Sequence, residues 1–182
     1  MIYFITTWTS SGIITGTGIS PDGTLPKEAI SCTQAQYENS SQYTVDASTT
    51  PPTIQQAPAS VLLTQAQATQ IALLQSAFQK AEQAPVSITL ASGVTTSFGM
   101  TPHDWTKIVG LYSKYVVKGI ALPSGYQIPD TNGTLQAVTV TDIENLFNAG
   151  ETQMTGAIAK LASLVAQVQS ATTVSAVQAI VW

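Results

Sequence analysis

Charge is scarce in this sequence. Asp, Glu, Lys and Arg account for 9% of its 182 residues, against about 25% in ordinary soluble domains. Six basic side chains spread along the chain stand against ten acidic ones, a net charge of −4. Binding to nucleic acid draws on clustered cations that displace counterions from phosphates, so nucleic acid is not an expected partner. Long apolar runs are missing too. Nothing approaches the roughly 20 residues needed to cross a bilayer, and no membrane insertion is expected. Met1 to Ile5 is apolar but lacks the basic start and the apolar stretch of about 7 to 15 residues that mark a secretory signal, so synthesis in the cytosol is expected. Cys32 is the only cysteine and His103 the only histidine. No disulfide can form within one chain, and one Cys with one His cannot fill a zinc site in its usual form. No cofactor or metal is expected.

Ser, Thr, Gln, Ala and Gly are abundant. A surface of hydroxyls and amides carries little electrostatic repulsion and can pack against copies of itself. This favours a subunit of an assembly over a free monomer.

The pattern along the chain predicts an α+β fold in several pieces. Residues 1–48 read as a small β-rich module: Tyr3, Phe4 and Ile5, a turn at Ser11 and Gly12, then Ile13 and Ile14 form a hairpin, and Pro21, Asp22 and Gly23 make a second turn. Thr33 with Gln36 has the spacing of a capping box over one helical turn. Residues 49–60 hold three prolines and no charge, which predicts an extended linker. Thr64 with Gln67 predicts the start of a helix within 61–85, along which Ile71, Leu74, Phe78 and Ala81 recur at a and d spacing. Packing of this stripe against its own domain is expected, with a short coiled coil between copies as the alternative.

Alternation in Val86, Ile88 and Leu90, then in Val94, Thr96 and Phe98, predicts a hairpin turning at Ser92 and Gly93. Thr101 and Pro102 open a helix ending near Gly119. Asp130 to Gly133 predicts a second hairpin. Thr141 with Glu144 predicts the start of a long helix, broken near Gly150, whose apolar face includes Met154, Ile158, Leu161, Val165 and Val168. Thr172 or Thr173 is expected to cap a last helix from Val174 to Trp182. The closing Trp182 suggests a docked final turn, because a free terminus frays and an indole buries about 150 to 250 Å².

Two stretches resemble known phage modules. Residues Val86 to Trp182 combine a hairpin, a capped helix, the turn around Asn132 and Gly133, the helix start at Val140 to Ile143 and the ending Thr172 to Trp182. In that order they resemble a C-terminal domain common in tailed-phage tail proteins. The first half carries Met1 to Phe4, the Gly12 turn, Leu25 to Ile30, then Thr33 to Tyr37. It is similar to the N-terminal module of tail-fibre and tail-fibre-assembly proteins, although Lys27 and Glu28 stand where many members have one acid. The resemblance implies a structural virion component that attaches or connects tail fibres to the tail or baseplate. Its partners would be other tail or fibre proteins and sister copies, with a trimer favoured. The alternative it implies is a chaperone that caps or helps trimerise the fibre.

Chemistry is sparse by comparison. His103 beside Asp104 is explained by helix capping, and Asp130 to Gly133 lacks the closing acid of a calcium loop. Gly16, Thr17 and Gly18 lack the following glycine and helix of a dinucleotide site, and the Asn39 and Asn132 sequons are expected by chance in so Ser/Thr-rich a chain. No catalytic residue is expected. Ile71, Leu74, Phe78 and Trp182 are the candidate oligomer interface.

Overall fold

The computed structural model describes all residues from Met1 to Trp182. It is a mixed α+β chain of small antiparallel sheets and helices that divides into two compact units, Met1–Ala68 with Thr172–Val174, and Thr69–Ala171 with Ser175–Trp182. No helix is long and apolar enough to cross a membrane.

Unit 1 is built on β1 (Ile2–Trp8), which pairs antiparallel with β2 (Ile14–Ser20) on one side and β3 (Ile30–Cys32) on the other. Alternation puts Phe4 over Gly18, where an added Cβ would collide with the Phe4 ring, so this glycine makes room for the aromatic residue. Gly12 turns the β1–β2 hairpin at φ 80° and lies so close to the Val45 carbonyl that no side chain would fit. Thr33 caps α1 (Gln34–Glu38) in the expected reciprocal box with Gln36. Next comes β4 (Tyr43–Asp46), and here the expected linker differs. Within 49–60, Thr53–Gln56 forms β5, which pairs with β4 in register from Tyr43 opposite Gln56 to Asp46 opposite Thr53. The segment is extended, as its prolines require, but its backbone groups are satisfied by a neighbouring strand rather than by water.

The helix expected from Thr64 begins five residues earlier. α2 spans Ala59–Glu82, just after Pro58, whose carbonyl accepts from Val61 and Leu62 N–H groups. Thr64 is interior and donates its hydroxyl to the Ser60 carbonyl at 2.9 Å. Its spacing to Gln67 arises without a cap because Thr and Gln are so frequent here.

Unit 2 continues from the rest of α2 to the hairpin of β6 (Val86–Thr89) and β7 (Thr95–Phe98). Thr101 then caps α3 (Pro102–Leu111), with Pro102 in its first turn and the Thr101 hydroxyl oxygen accepting from Asp104 N–H. The last turn widens into a π-helical segment, Tyr112–Val117, before Gly119 ends it at φ 63°. Strands β8 (Gln127–Pro129) and β9 (Leu135–Ala137) flank the expected turn, with Gly133 at φ 79°.

α4 (Val140–Ser170) is capped by Thr139 with Asp142, not by Thr141 with Glu144. The two boxes share one spacing, and a tertiary bond selects between them. Buried Asp142 accepts from Ala91 N–H at 2.8 Å as well as from the Thr139 N–H and hydroxyl at 2.8 and 2.7 Å. Nor does α4 break at Gly150. A Cβ there would lie 2.5 Å from Trp105 Cζ3, so the glycine admits the indole while the helix runs on. One turn earlier Phe147 stacks on Trp105 at 5.4 Å and on Tyr112 at 3.9 Å between ring centroids. This stack fastens α3 and the π segment to α4 above a core that includes Leu90, Phe98, Ile108, Ile143 and Leu146. The final helix, α5 (Val174–Gln178), is shorter than expected.

Candidate functional site

The stripe on α2 carries more than apolar residues. Gln70, Leu74 and Phe78 are spaced by four and share one helix face. Leu74 is 1% exposed and Gln70 is buried with it. Gln70 donates from Nε2 to the Ile180 carbonyl at 2.6 Å, which holds the closing segment against the helix. At the other end of α2, Gln153 of α4 directs its Nε2 at the Ala84 and Ala81 carbonyls at 2.7 and 3.1 Å. Two amide side chains thus satisfy carbonyls that a helix end and an irregular tail leave open.

Trp182 completes this arrangement. Its ring meets Phe78 edge-on, with centroids 6.3 Å apart and planes at 64°, and the Lys160 ammonium of α4 stands 4.8 Å from its centroid. Edge-to-face and cation–π contacts of this kind each contribute about 0.5 to 1.5 kcal/mol. Both Phe78 and Trp182 keep a partly exposed surface.

Of the four residues expected at an oligomer interface, Phe78 and Trp182 are brought together and Ile71 is half-buried. Leu74 is a correction. It is enclosed within its own protomer, between Gln70 and Phe78, which meet the closing segment one turn to either side, and a fully buried side chain cannot also meet a sister chain. Leu73 on α2, Ile158 on α4 and Val181 next to Trp182 are 59%, 51% and 68% exposed. Gln70, Lys160 and Gln153 were missed in the sequence. The one available signal was a glutamine in phase with Leu74 and Phe78.

The residues weighed for chemistry fall in different units. Cys32 belongs to unit 1 and His103 to unit 2. The thiol is half-buried, and desolvation raises its pKa, which lowers its reactivity. His103 is exposed in the first turn of α3. No three His, Cys, Asp or Glu side chains gather into a set able to hold a metal ion. The Asp130 carboxylate is filled by its own hairpin: it accepts from Asn132 and Thr134 N–H groups, both at 2.9 Å, and from Gln136 Nε2 and the Thr96 hydroxyl at 3.0 Å. Desolvation pushes its pKa up, but the bonds from Gln136, Thr134, Asn132 and Thr96 together outweigh it and leave the pKa lowered. The carboxylate therefore joins the two hairpins of unit 2.

No protein-family model, curated protein or solved structure matches the chain.

Proposed function

We propose that this chain is a structural component of a tailed-phage virion that attaches or connects tail fibres to the tail or baseplate through protein–protein contacts, acting as a homo-oligomer, with a trimer favoured. The observation that carries the assembly part of this reading is the exposure of large apolar side chains, among them Leu73, Ile158 and Val181. Large apolar groups left exposed suit surfaces that another chain covers. The low charge supports the same reading, since only 9% of residues could repel a neighbouring copy. The viral part rests on the resemblance of Val86 to Trp182 and of the N-terminal segment to tail modules. The proposal includes no catalytic step, and it locates the protein in the tail of the particle after synthesis in the host cytoplasm.

Peptide mass spectrometry of purified virions tests it. The protein is expected in the particle at a stoichiometry comparable to other tail components. Its absence from particles, combined with binding to free fibre protein, would replace this reading with the fibre-assembly chaperone.

A further inference from the structure

Unit 2 contains a cleft of about 460 Å³ between α3 and the β8 strand, a volume typical of small-molecule sites, which run from about 300 to 1,000 Å³. Its lining combines three features. Apolar and aromatic surface comes first, with the half-buried Tyr126 ring backed by the core residues Leu146, Phe98 and Tyr115, whose ring lies 5.9 Å from that of Tyr126 at 56°. Cations come second. In a chain with only six basic residues, Lys107, Lys114 and Lys118 are bunched between positions 107 and 118, and two of these, Lys107 and Lys114, line the cleft. Lys114 holds its ammonium 5.0 Å from the Tyr115 centroid, so charge and ring are presented together. Polar acceptors come third, from Asp104 and Gln127.

Local backbone features keep this space open. Lys114 and Tyr115 lie in the π segment, where Lys118 N–H reaches back five residues to the Ser113 carbonyl at 3.1 Å. Such widened turns re-aim side chains and recur at functional sites. Gly99 lines the cleft and makes room for the Asp104 carboxylate, whose Oδ2 accepts from the Thr101 hydroxyl and would lie 2.6 Å from an added Cβ. Gly110 lines it with no side chain, although an added Cβ would meet nothing within 4 Å. A helical glycine costs about 1 kcal/mol relative to alanine, and packing does not demand this one.

We infer that this cleft binds an acidic sugar, a pyranose carrying a carboxylate or phosphate. The two lysines would take the anionic group, the half-buried Tyr126 ring would stack on the sugar, and Asp104 Oδ1 and Gln127 would hydrogen-bond the hydroxyls. A bare anion is disfavoured because Asp104 would repel it without gaining a donor. The inference goes beyond the virion assignment and does not depend on it.

The test is calorimetric titration of the full-length chain at low salt with glucuronate, glucose 6-phosphate, glucose and inorganic phosphate. At least one of the two sugar anions binds saturably, with a Kd between about 10 µM and 1 mM, and glucose and phosphate bind at least about tenfold more weakly. Binding of glucuronate alone identifies a carboxylated sugar, and binding of glucose 6-phosphate alone a phosphorylated one. The double variant Lys107→Gln/Lys114→Gln weakens binding by about tenfold or more. Gly110→Leu fills the mouth and weakens binding to a similar extent, with an unchanged or higher melting temperature. This variant carries the test should the lysine variant fail to fold. The inference is overturned if neither sugar anion binds, if glucose binds equally well, or if Gly110→Leu leaves affinity unchanged.

Discussion

The two units solve the problem of low charge differently. Unit 1 relies on backbone pairing: three strands in one sheet and two in another surround a core whose buried apolar members are few, chiefly Phe4, Ile5, Val45 and Ala57. Unit 2 has short two-stranded hairpins but a larger core, a three-ring stack and a buried carboxylate with three donors. Hydrophobic stabilisation scales with buried apolar area, and small units with little core are marginal. On that ground unit 2 is expected to be the more stable body, and unit 1 the part that opens locally at lower free energy. Hydrogen exchange is therefore expected to be faster in β1, β2 and β3 than in β6, β7 and the first turns of α4.

Substitutions separate the two units. The largest effect is expected from Asp142→Ala, which strands the Ala91 and Thr139 N–H groups and removes the carboxylate half of the α4 capping box. A loss of about 3 kcal/mol in the urea unfolding of unit 2 is predicted, and a loss under about 1 kcal/mol would mean the carboxylate is not central to that core. Next is Gly150→Ala, whose methyl group collides with Trp105. Overpacking of this kind costs about 2 kcal/mol, and a shifted tryptophan fluorescence maximum should accompany it.

Thr44→Val acts in the opposite direction and in the other unit. Thr44 is 3% exposed, and its hydroxyl is buried without a hydrogen-bond partner. Replacing it with an isosteric methyl should stabilise unit 1 by about 1 kcal/mol and slow its exchange, leaving unit 2 unchanged.

The smallest effect is on pH dependence. Asp22 is lowered by bonds from the Ser20 hydroxyl and Thr24 N–H, Asp46 by the Ser48 hydroxyl and N–H, and Asp130 by its four donors against desolvation. A carboxylate whose folded pKa is depressed contributes stability above its unfolded value, near pH 4, and loses it as pH falls through the folded value. The denaturation midpoint should thus fall on acidification below about pH 4. Asp130→Asn should flatten that dependence in unit 2 and leave the Asp22 and Asp46 contributions of unit 1 in place.

What could be read from sequence depends on how local the deciding interactions are. The Thr33 box, the Thr101–Pro102 helix start and the Asp130–Gly133 turn are complete within four residues, and each stands where expected. β5, the Thr139 cap and the unbroken helix at Gly150 are decided by partners far along the chain, namely β4, Ala91 and Trp105. Local spacing could not choose between Thr139 and Thr141 as the cap, because both offer an acid three residues on. The candidate interface divides in the same way. Phe78 and Trp182 stood out as large aromatic residues, whereas burial of Leu74 followed from how the closing segment is pinned by Gln70. The cleft was not legible in the sequence, since its walls come from stretches far apart along the chain: Phe98 and Gly99, the run from Asp104 to Tyr115, Tyr126 to Pro129, and Leu146.

The central claim is that the chain works as an assembled subunit through the segments fastened at Trp182. Sedimentation velocity on the purified chain, with and without Leu73→Glu and Ile158→Glu together, tests it most directly. Both positions are solvent-exposed, so the double variant should retain the fold. The account predicts a species of three times the 19.1 kDa chain mass that falls to the monomer in the double variant. A wild-type chain that stays monomeric up to about 100 µM, or an oligomer indifferent to both substitutions, would contradict it.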